Sequence, residues 1–428
     1  MTTKVTWPQI LAWRLRRQFV SGSDAADAVA VARRLCGVQT QVASSAQLAV
    51  AVRRAGPDHG EIDRVLWSER TLVKTWIMRG TLHLVPSDTL ADYCAALSTL
   101  RFWEKGSWQR SHGVTADEIA AIIDAVPRAL SHGAPAEGSS GEAASREGTS
   151  REAAPGKAAS REGTSREAAP EEAASGEGAS GEGTSGEAVS RERMAGERAL
   201  TRDELVDAVV AVTGDVHLRE ALTSGWGALL KPLSRLGELC YGPPRDGRVT
   251  FTAPRAWLPA WPAALPPYEE AGVRVARAFL GAHGPATPEM FDTWLFGGVA
   301  KKAVLKGWFR DLAPQLTEVE TDDGRTLLAL TEHLDDLAGT SPSTEVHLLP
   351  GFDQYILAAP RALAPLIPPP LKPKVSRQAG WISPVVIHEG RVAGVWEAKR
   401  GDITVDLASP VPQGPLDEAI ARVRSLLP

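Results

Sequence analysis

The sequence has 428 residues, 43% of them apolar and 23% charged, with a formal net charge of −5 and three cysteines. That is enough chain for about two to four globular domains, and it excludes a disulfide framework, because Cys36, Cys94 and Cys240 lie far apart with no Cys-x-x-Cys pair. Residues 132–198 hold 13 of the 52 acidic and 8 of the 47 basic side chains, leaving 39 of each elsewhere, so the net charge does not exclude a nucleic-acid partner, which reads local clusters of cations.

From the N-terminus, Lys4 is followed by Gln9, Arg14, Arg16 and Arg17, which interrupt any signal-peptide core, and no run approaches the ~18 apolar residues of a membrane span. A soluble cytoplasmic protein is expected. Thr6-Trp7-Pro8 starts a helix, with Thr6 as N-cap and Ile10, Leu11, Trp13, Leu15 and Phe19 on its apolar side; Arg14, Arg16 and Arg17 form the polar side. Helices are expected over Asp24 to Cys36, Ser44 to Arg54 and Glu61 to Ser68, then two strands, Leu72 to Trp76 and Thr81 to Val85, joined near Arg79-Gly80. Helices follow over Ser87 to Leu100 and, after the capping box Thr115 to Glu118, over Ile119 to Leu130.

The composition then changes. Ala144 to Pro155 recurs without change at Ala159 to Pro170, inside a Gly, Ser, Ala and Glu-rich tract that has almost nothing to bury; residues 132–198 are expected to be a disordered insert. Folded sequence resumes at Leu200 with a second capping box, Thr201 and Glu204, so the insert falls within one unit made of 87–131 and 199–265. Helices over Leu218 to Trp226 and Leu229 to Leu236 lead to strands Leu239 to Tyr241 and Val249 to Phe251 around a Pro243 to Gly247 turn. Helices Tyr268 to Ala282, Phe291 to Leu295 and Val299 to Leu312 precede a hairpin marked by Asp322-Asp323-Gly324-Arg325, giving a unit over 266–340. Beyond it, 345–349, 354–357, 381–387, 391–397 and 402–407 read as strands and Leu416 to Leu427 as a helix, a β-rich unit over 341–428.

Between the second and third helices lies Gly37-Val38-Gln39-Thr40-Gln41. If the segment is extended, the i, i+2 spacing turns both amides to one side; the same residues also suit helix-end amides that satisfy backbone groups. This run, with Trp7-Pro8-Gln9-Ile10-Leu11-Ala12-Trp13-Arg14-Leu15, Thr75 to Val85, Leu200 to Leu205 and Leu348 to Asp353, resembles the winged-helix DNA glycosylases of the AlkZ and YcaQ type over nearly the whole chain outside the insert. The resemblance implies an α+β fold of tandem winged-helix (helix-turn-helix) modules, the first over 1–86, with a β-rich C-terminal domain. It assigns catalysis to Gln39 and Gln41, and the second glutamine places the chain on the AlkZ-like side, associated with alkylated bases and crosslinks. Thr40 departs from the family's apolar middle residue, which leaves the lesion preference open.

The amide pair suits that chemistry. A base alkylated at purine N7 is already a cationic leaving group, so a site that holds a water and tolerates an oxocarbenium-like sugar suffices, and carboxamides can hold a water. Through the resemblance, Arg79 and His83 at the first hairpin and Lys231, Arg235, Arg245 and Arg248 in the second module are expected to contact DNA; for His83 a packed or surface role fits equally, and the other cations also read as a solvated face. Lys301, Lys302 and Lys306 read more strongly as the polar side of an amphipathic helix. Asp353, after an apolar strand, reads as a turn residue.

Metal-ligand spacings, glycine-rich phosphate loops and a Gly-x-Ser-x-Gly elbow are missing from the sequence, so no metal or cofactor is expected. No lysine lies near the glutamines in sequence, which disfavours a Schiff-base lyase. The expectation is a monomeric, monofunctional glycosylase acting on double-stranded DNA that carries alkylated bases or crosslinks. The competing reading is a winged-helix regulator that binds DNA without chemistry, because fold alone does not choose function.

Overall fold

A computed structural model describes residues 3–22, 25–56, 58, 60–132, 199–223 and 225–427; the insert expected over 132–198 lies outside these apart from its first residue. The described chain is a mixed α+β fold with three three-stranded sheets and one four-stranded sheet. In the first sheet, Leu82–Pro86 is central, antiparallel to Val38–Gln39 on one side and Leu72–Trp76 on the other. The second repeats the plan with Arg248–Thr252 between Leu200–Thr201 and Cys240–Arg245. Its two-residue turn, Asp246-Gly247, has φ of 52° and 72°, the paired positive values a tight hairpin favours.

The third sheet crosses the expected division of the chain. Its hairpin, Leu316–Thr321 and Thr326–Leu330, is joined in parallel by Thr3–Val5 from the other end of the sequence. The helix Trp7–Arg17, started by a capping box between Thr6 and Gln9, therefore packs away from the first sheet. Trp7, Leu11 and Trp13 share one core with Val319 and Leu327 of the third sheet and Leu348 and Ile387 of the C-terminal unit. Because this helix is covered on several sides, Arg14 is not on a polar face as the spacing suggested: it is 5% exposed, and its Nε and Nη2 donate to the carbonyls of Gly284 and Pro285 at 3.1 and 2.8 Å. Burial without a carboxylate partner lowers its pKa to about 10. Arg16 does face solvent, paired with Asp336.

The C-terminal sheet is an antiparallel meander of Val346–Leu349, Val385–His388, Arg391–Lys399 and Asp402–Leu407, with the helix Gln413–Leu426 against its first strand. Residues 354–357, expected as a strand, form a helical turn. The Asp353 carboxylate accepts the Tyr355 N–H at 2.9 Å and caps it, and a four-residue apolar run carries no period that could have announced this. In the third unit the helix Lys302–Leu312 buries Leu305, Trp308, Phe309 and Leu312 and leaves Lys301, Lys302, Lys306 and Arg310 exposed.

One packing relationship positions the site. The turn joining the first hairpin, Ile77 to Thr81, is not a free tip: it lies between the helix Pro288–Phe296 of the third unit and the helix Lys231–Arg235 of the second. Ile77 and Met78 have no exposed surface, and apolar Ile-Met at the tip is what makes this junction a buried one.

Candidate active site

The glutamine strand is set by a bend that only certain residues permit. Cys36 and Gly37 both have positive φ, 59° and 113°, turning the chain out of the helix Ala28–Arg34. A Cβ on Gly37 would lie 2.7 Å from Met78 Cε, so glycine is required for both conformation and space. Val38 and Gln39 then pair with Leu84 and His83, and the Thr40 N–H donates to Leu82 O at 2.8 Å. Residues directly opposite in an antiparallel pair share a face, so Gln39, His83 and, on the next strand, Thr75 form a row across the sheet. Gln39 is 6% exposed. Gln41, half-buried, precedes the helix Ala43–Ala51, and its amide has no hydrogen-bond partner among the described residues.

Arg79 reaches this row from the turn. Its backbone is left-handed, φ 54°, unusual for a residue with a side chain. The guanidinium donates through Nη1 to Trp294 O and through Nη2 to Gln39 Oε1 at 3.4 Å. That contact fixes the Gln39 carbonyl toward Arg79. Burial, and then the nearby charge of Arg361, lower the Arg79 pKa to about 10. His83 is fully buried. Its Nδ1 is 3.0 Å from Thr81 O, so Nδ1 carries the proton and donates, while Nε2 has no partner among the described residues. Burial, then the Arg79 charge, push its pKa down to about 3, so the ring is neutral. In this conformation it offers no surface to a duplex, and of the two readings open from its spacing the geometry favours the packed one.

The other expected cations divide into two groups. Arg235 is 5% exposed, stacked over Phe102 at 4.6 Å, with Nε and Nη1 unpartnered among the described residues; burial lowers its pKa to about 10. Both Arg235 and Lys231 pack against the turn, since a Cβ on Gly80 would meet Arg235 Nη2 at 3.6 Å and Lys231 Cδ at 3.8 Å. The helix that carries them is only five residues long and is packed on the first unit, so it does not stand out as a recognition helix. Arg245 and Arg248 are exposed at the second hairpin's tip, paired with Glu204 and, at 3.8 Å, Asp203.

A model of the AlkZ-like DNA glycosylase family matches residues 32–165 and 151–424. The interstrand DNA cross-link repair glycosylase of Streptomyces sahachiroi is 37% identical over 409 residues, 94% of this chain and 90% of that protein. The chain belongs to the AlkZ-like DNA glycosylase family. The solved structure of Streptomyces sahachiroi DNA glycosylase AlkZ superimposes with a TM-score of 0.80 at 36% identity, covering 99% of this chain and 97% of that one. Membership in a family of enzymes removes the non-catalytic regulator as a reading.

The AlkZ-like fold thus brings Gln39, Arg79 and His83 together, with Gln41 two residues along the same segment, and places Lys231 and Arg235 against the turn. Arg245 and Arg248 stay apart. Sequence reasoning missed Trp294, whose carbonyl holds Arg79, and Arg361, whose charge Arg79 senses. No local signal marks either one: Trp294 sits in an ordinary amphipathic helix and Arg361 in a proline-rich loop. Gln354 is also 1% exposed with neither amide atom partnered among the described residues, beside Asp353, which pairs with Arg53. Among the described residues no group of three His, Cys, Asp or Glu could hold a metal ion, and no helix is long and apolar enough to cross a membrane.

Proposed function

We propose that this AlkZ-like protein is a monofunctional glycosylase that hydrolyses the N-glycosidic bond of N7-alkylated purines and unhooks interstrand crosslinks in double-stranded DNA, with Gln39 and Gln41 holding the attacking water. The observation that carries this reading is the setting of Gln39: a buried, neutral carboxamide fixed by Arg79, with no carboxylate hydrogen-bonded to Gln39, Arg79 or His83 among the described residues. A site built this way lacks a carboxylic acid to protonate an ordinary base. It suits a substrate whose base is already cationic, where bond cleavage needs a positioned water and a tolerated oxocarbenium-like sugar.

In this reading Gln39 Oε1 has one lone pair directed at Arg79 and one left for a water, and Gln41, whose amide is not otherwise engaged, supplies the second contact. The three small sheets with their preceding helices are read as winged-helix modules, and the exposed hairpin tip at Arg245 and Arg248 as a contact to the duplex backbone. The cross-link repair activity named for the Streptomyces sahachiroi relative supports the crosslink arm of the proposal. We take the protein to act as a monomer.

The test is incubation with duplex DNA containing N7-methylguanine, alkaline cleavage of the abasic product, and the same assay on a crosslinked duplex. Wild type is expected to cleave, and the Gln39→Ala, Gln41→Ala double variant to lose at least ~100-fold in rate, the size expected for removing groups that position a nucleophile. Unchanged excision by the double variant would remove the glutamines from the chemistry.

A further inference from the structure

Two guanidiniums meet beside Gln39 without an acid between them. Arg79 donates only to Trp294 O and Gln39 Oε1, and Arg361 donates from Nη1 to Ser376 Oγ at 2.8 Å; all three acceptors are neutral. Arg361 follows Ala358, which belongs to the same apolar core as Ile77, Met78 and Trp294, the residues around the Arg79 turn. A guanidinium offers five N–H donors, so most of those on the pair have no protein acceptor. Burial lowers the pKa of both, and Arg79 also feels Arg361, while no carboxylate acts on either. Like charges left together and partly out of water destabilise a fold unless something else gains from them. An anion with several acceptor oxygens is what a guanidinium fork matches, and in a DNA-processing site that anion is a phosphodiester.

We propose that Arg79 and Arg361 form an anion subsite that takes a phosphodiester adjoining the target nucleotide, and that filling it is a condition for bond cleavage at Gln39. The inference rests on the glycosylase reading and adds Arg361 to it as a substrate-binding residue. Its consequence for the reaction is electrostatic. Two uncompensated cations beside the sugar oppose an oxocarbenium-like transition state, and a bound phosphate cancels that opposition. The phosphate also competes for the Arg79 N–H groups, which releases Gln39 Oε1 to the water. Cleavage is then linked to a correctly seated strand.

The experiment is single-turnover excision at saturating protein from an N7-methylguanine duplex, with the linkages on either side of the lesion either native or replaced one at a time by an uncharged methylphosphonate. Wild type is expected to slow by roughly ten- to a hundredfold when one particular linkage is neutralised, the size expected when a charge-assisted hydrogen bond is removed. Arg361→Gln should slow to a similar extent on the native duplex and lose little more on the methylphosphonate duplex, whereas Arg361→Lys should recover part of the rate. Full wild-type rates on both methylphosphonate duplexes would overturn the proposal without any protein variant, and so would losses from variant and linkage that simply multiply. If wild type fails on native methylated and crosslinked duplexes alike, the glycosylase reading fails and this inference falls with it.

Discussion

Arg53 and Asp353, 300 residues apart in the chain, meet through two N–H···O contacts of 2.7 and 2.8 Å, with neither side chain exposed. Arg53 also donates to Gln18 O and Ala49 O, so its fork is committed. The pair joins the end of the helix that follows the glutamine segment to the loop that runs on to Arg361, and so ties together the two parts of the chain that supply the site.

Removing one partner of such a pair leaves a buried charge uncompensated. Asp353→Ala is therefore expected to destabilise the protein by about 3–5 kcal/mol, read as a lower midpoint in equilibrium urea unfolding. Asp353→Asn, which keeps the shape and the cap on Tyr355 but not the charge, should fall between. A loss under ~1 kcal/mol for Asp353→Ala, the level of an exposed pair, would mean that the contact does not hold the halves together.

Much of the architecture was legible from local pattern. Thr6 with Gln9 and Thr201 with Glu204 announce helix starts, Asp246-Gly247 and Asp323-Gly324 announce hairpins, and each of these occurs where the pattern put it. What failed depended on partners far away in sequence. Thr3–Val5 is too short to reveal that it pairs with residues 319–321, Arg14 looks like any solvated arginine until Gly284 and Pro285 cover it, and Arg79 looks like a wing tip until the helix ending at Phe296 closes over it. The site shows the same division. The Gln39 and Gln41 motif is local, whereas the Arg361 contribution exists only because the C-terminal unit folds back onto the first.

Acid sensitivity should report the buried histidines. His83 and His283 are both pushed down to about 3, by burial first; for His83 the Arg79 charge adds to it, while for His283 a hydrogen bond to Leu35 O works against the shift and Arg14, Arg53 and Arg79 reinforce it. His283 is held neutral between Gln18 Nε2 and Leu35 O, each at 3.1 Å. Folded pKa values below the unfolded value mean that the unfolded chain binds more protons, so stability is fully present above ~6.5 and is lost as pH falls toward 3. From pH 7 to 5, each histidine should remove about 2 kcal/mol, in a window where most carboxylates remain ionised. Urea midpoints across that range test it. His283→Leu lowers stability at every pH, but its profile should be flatter than wild type by about 2 kcal/mol; an unchanged slope would show that His283 is not buried neutral.

Arg245 and Arg248 make a prediction with opposite signs on the two sides of each ion pair. They project from the second hairpin tip and face Glu204 and Asp203 at the start of the helix Arg202–Thr213, so a DNA phosphate at this tip has to displace a carboxylate. Arg245→Ala with Arg248→Ala should weaken binding to damaged and undamaged duplexes alike. The slope of log affinity against log salt should become shallower by ~0.9 for each phosphate that is no longer neutralised. Glu204→Gln keeps the capping box, because glutamine can also accept the Thr201 N–H, yet it removes the competing charge and should tighten duplex binding. Excision at saturating protein should stay near wild type in both cases, since the tip stands apart from Gln39. If the arginine pair changes neither affinity nor salt slope, the second hairpin does not touch the backbone. If Glu204→Gln weakens binding, the ion pair serves to aim Arg245 at the phosphate rather than to compete with it.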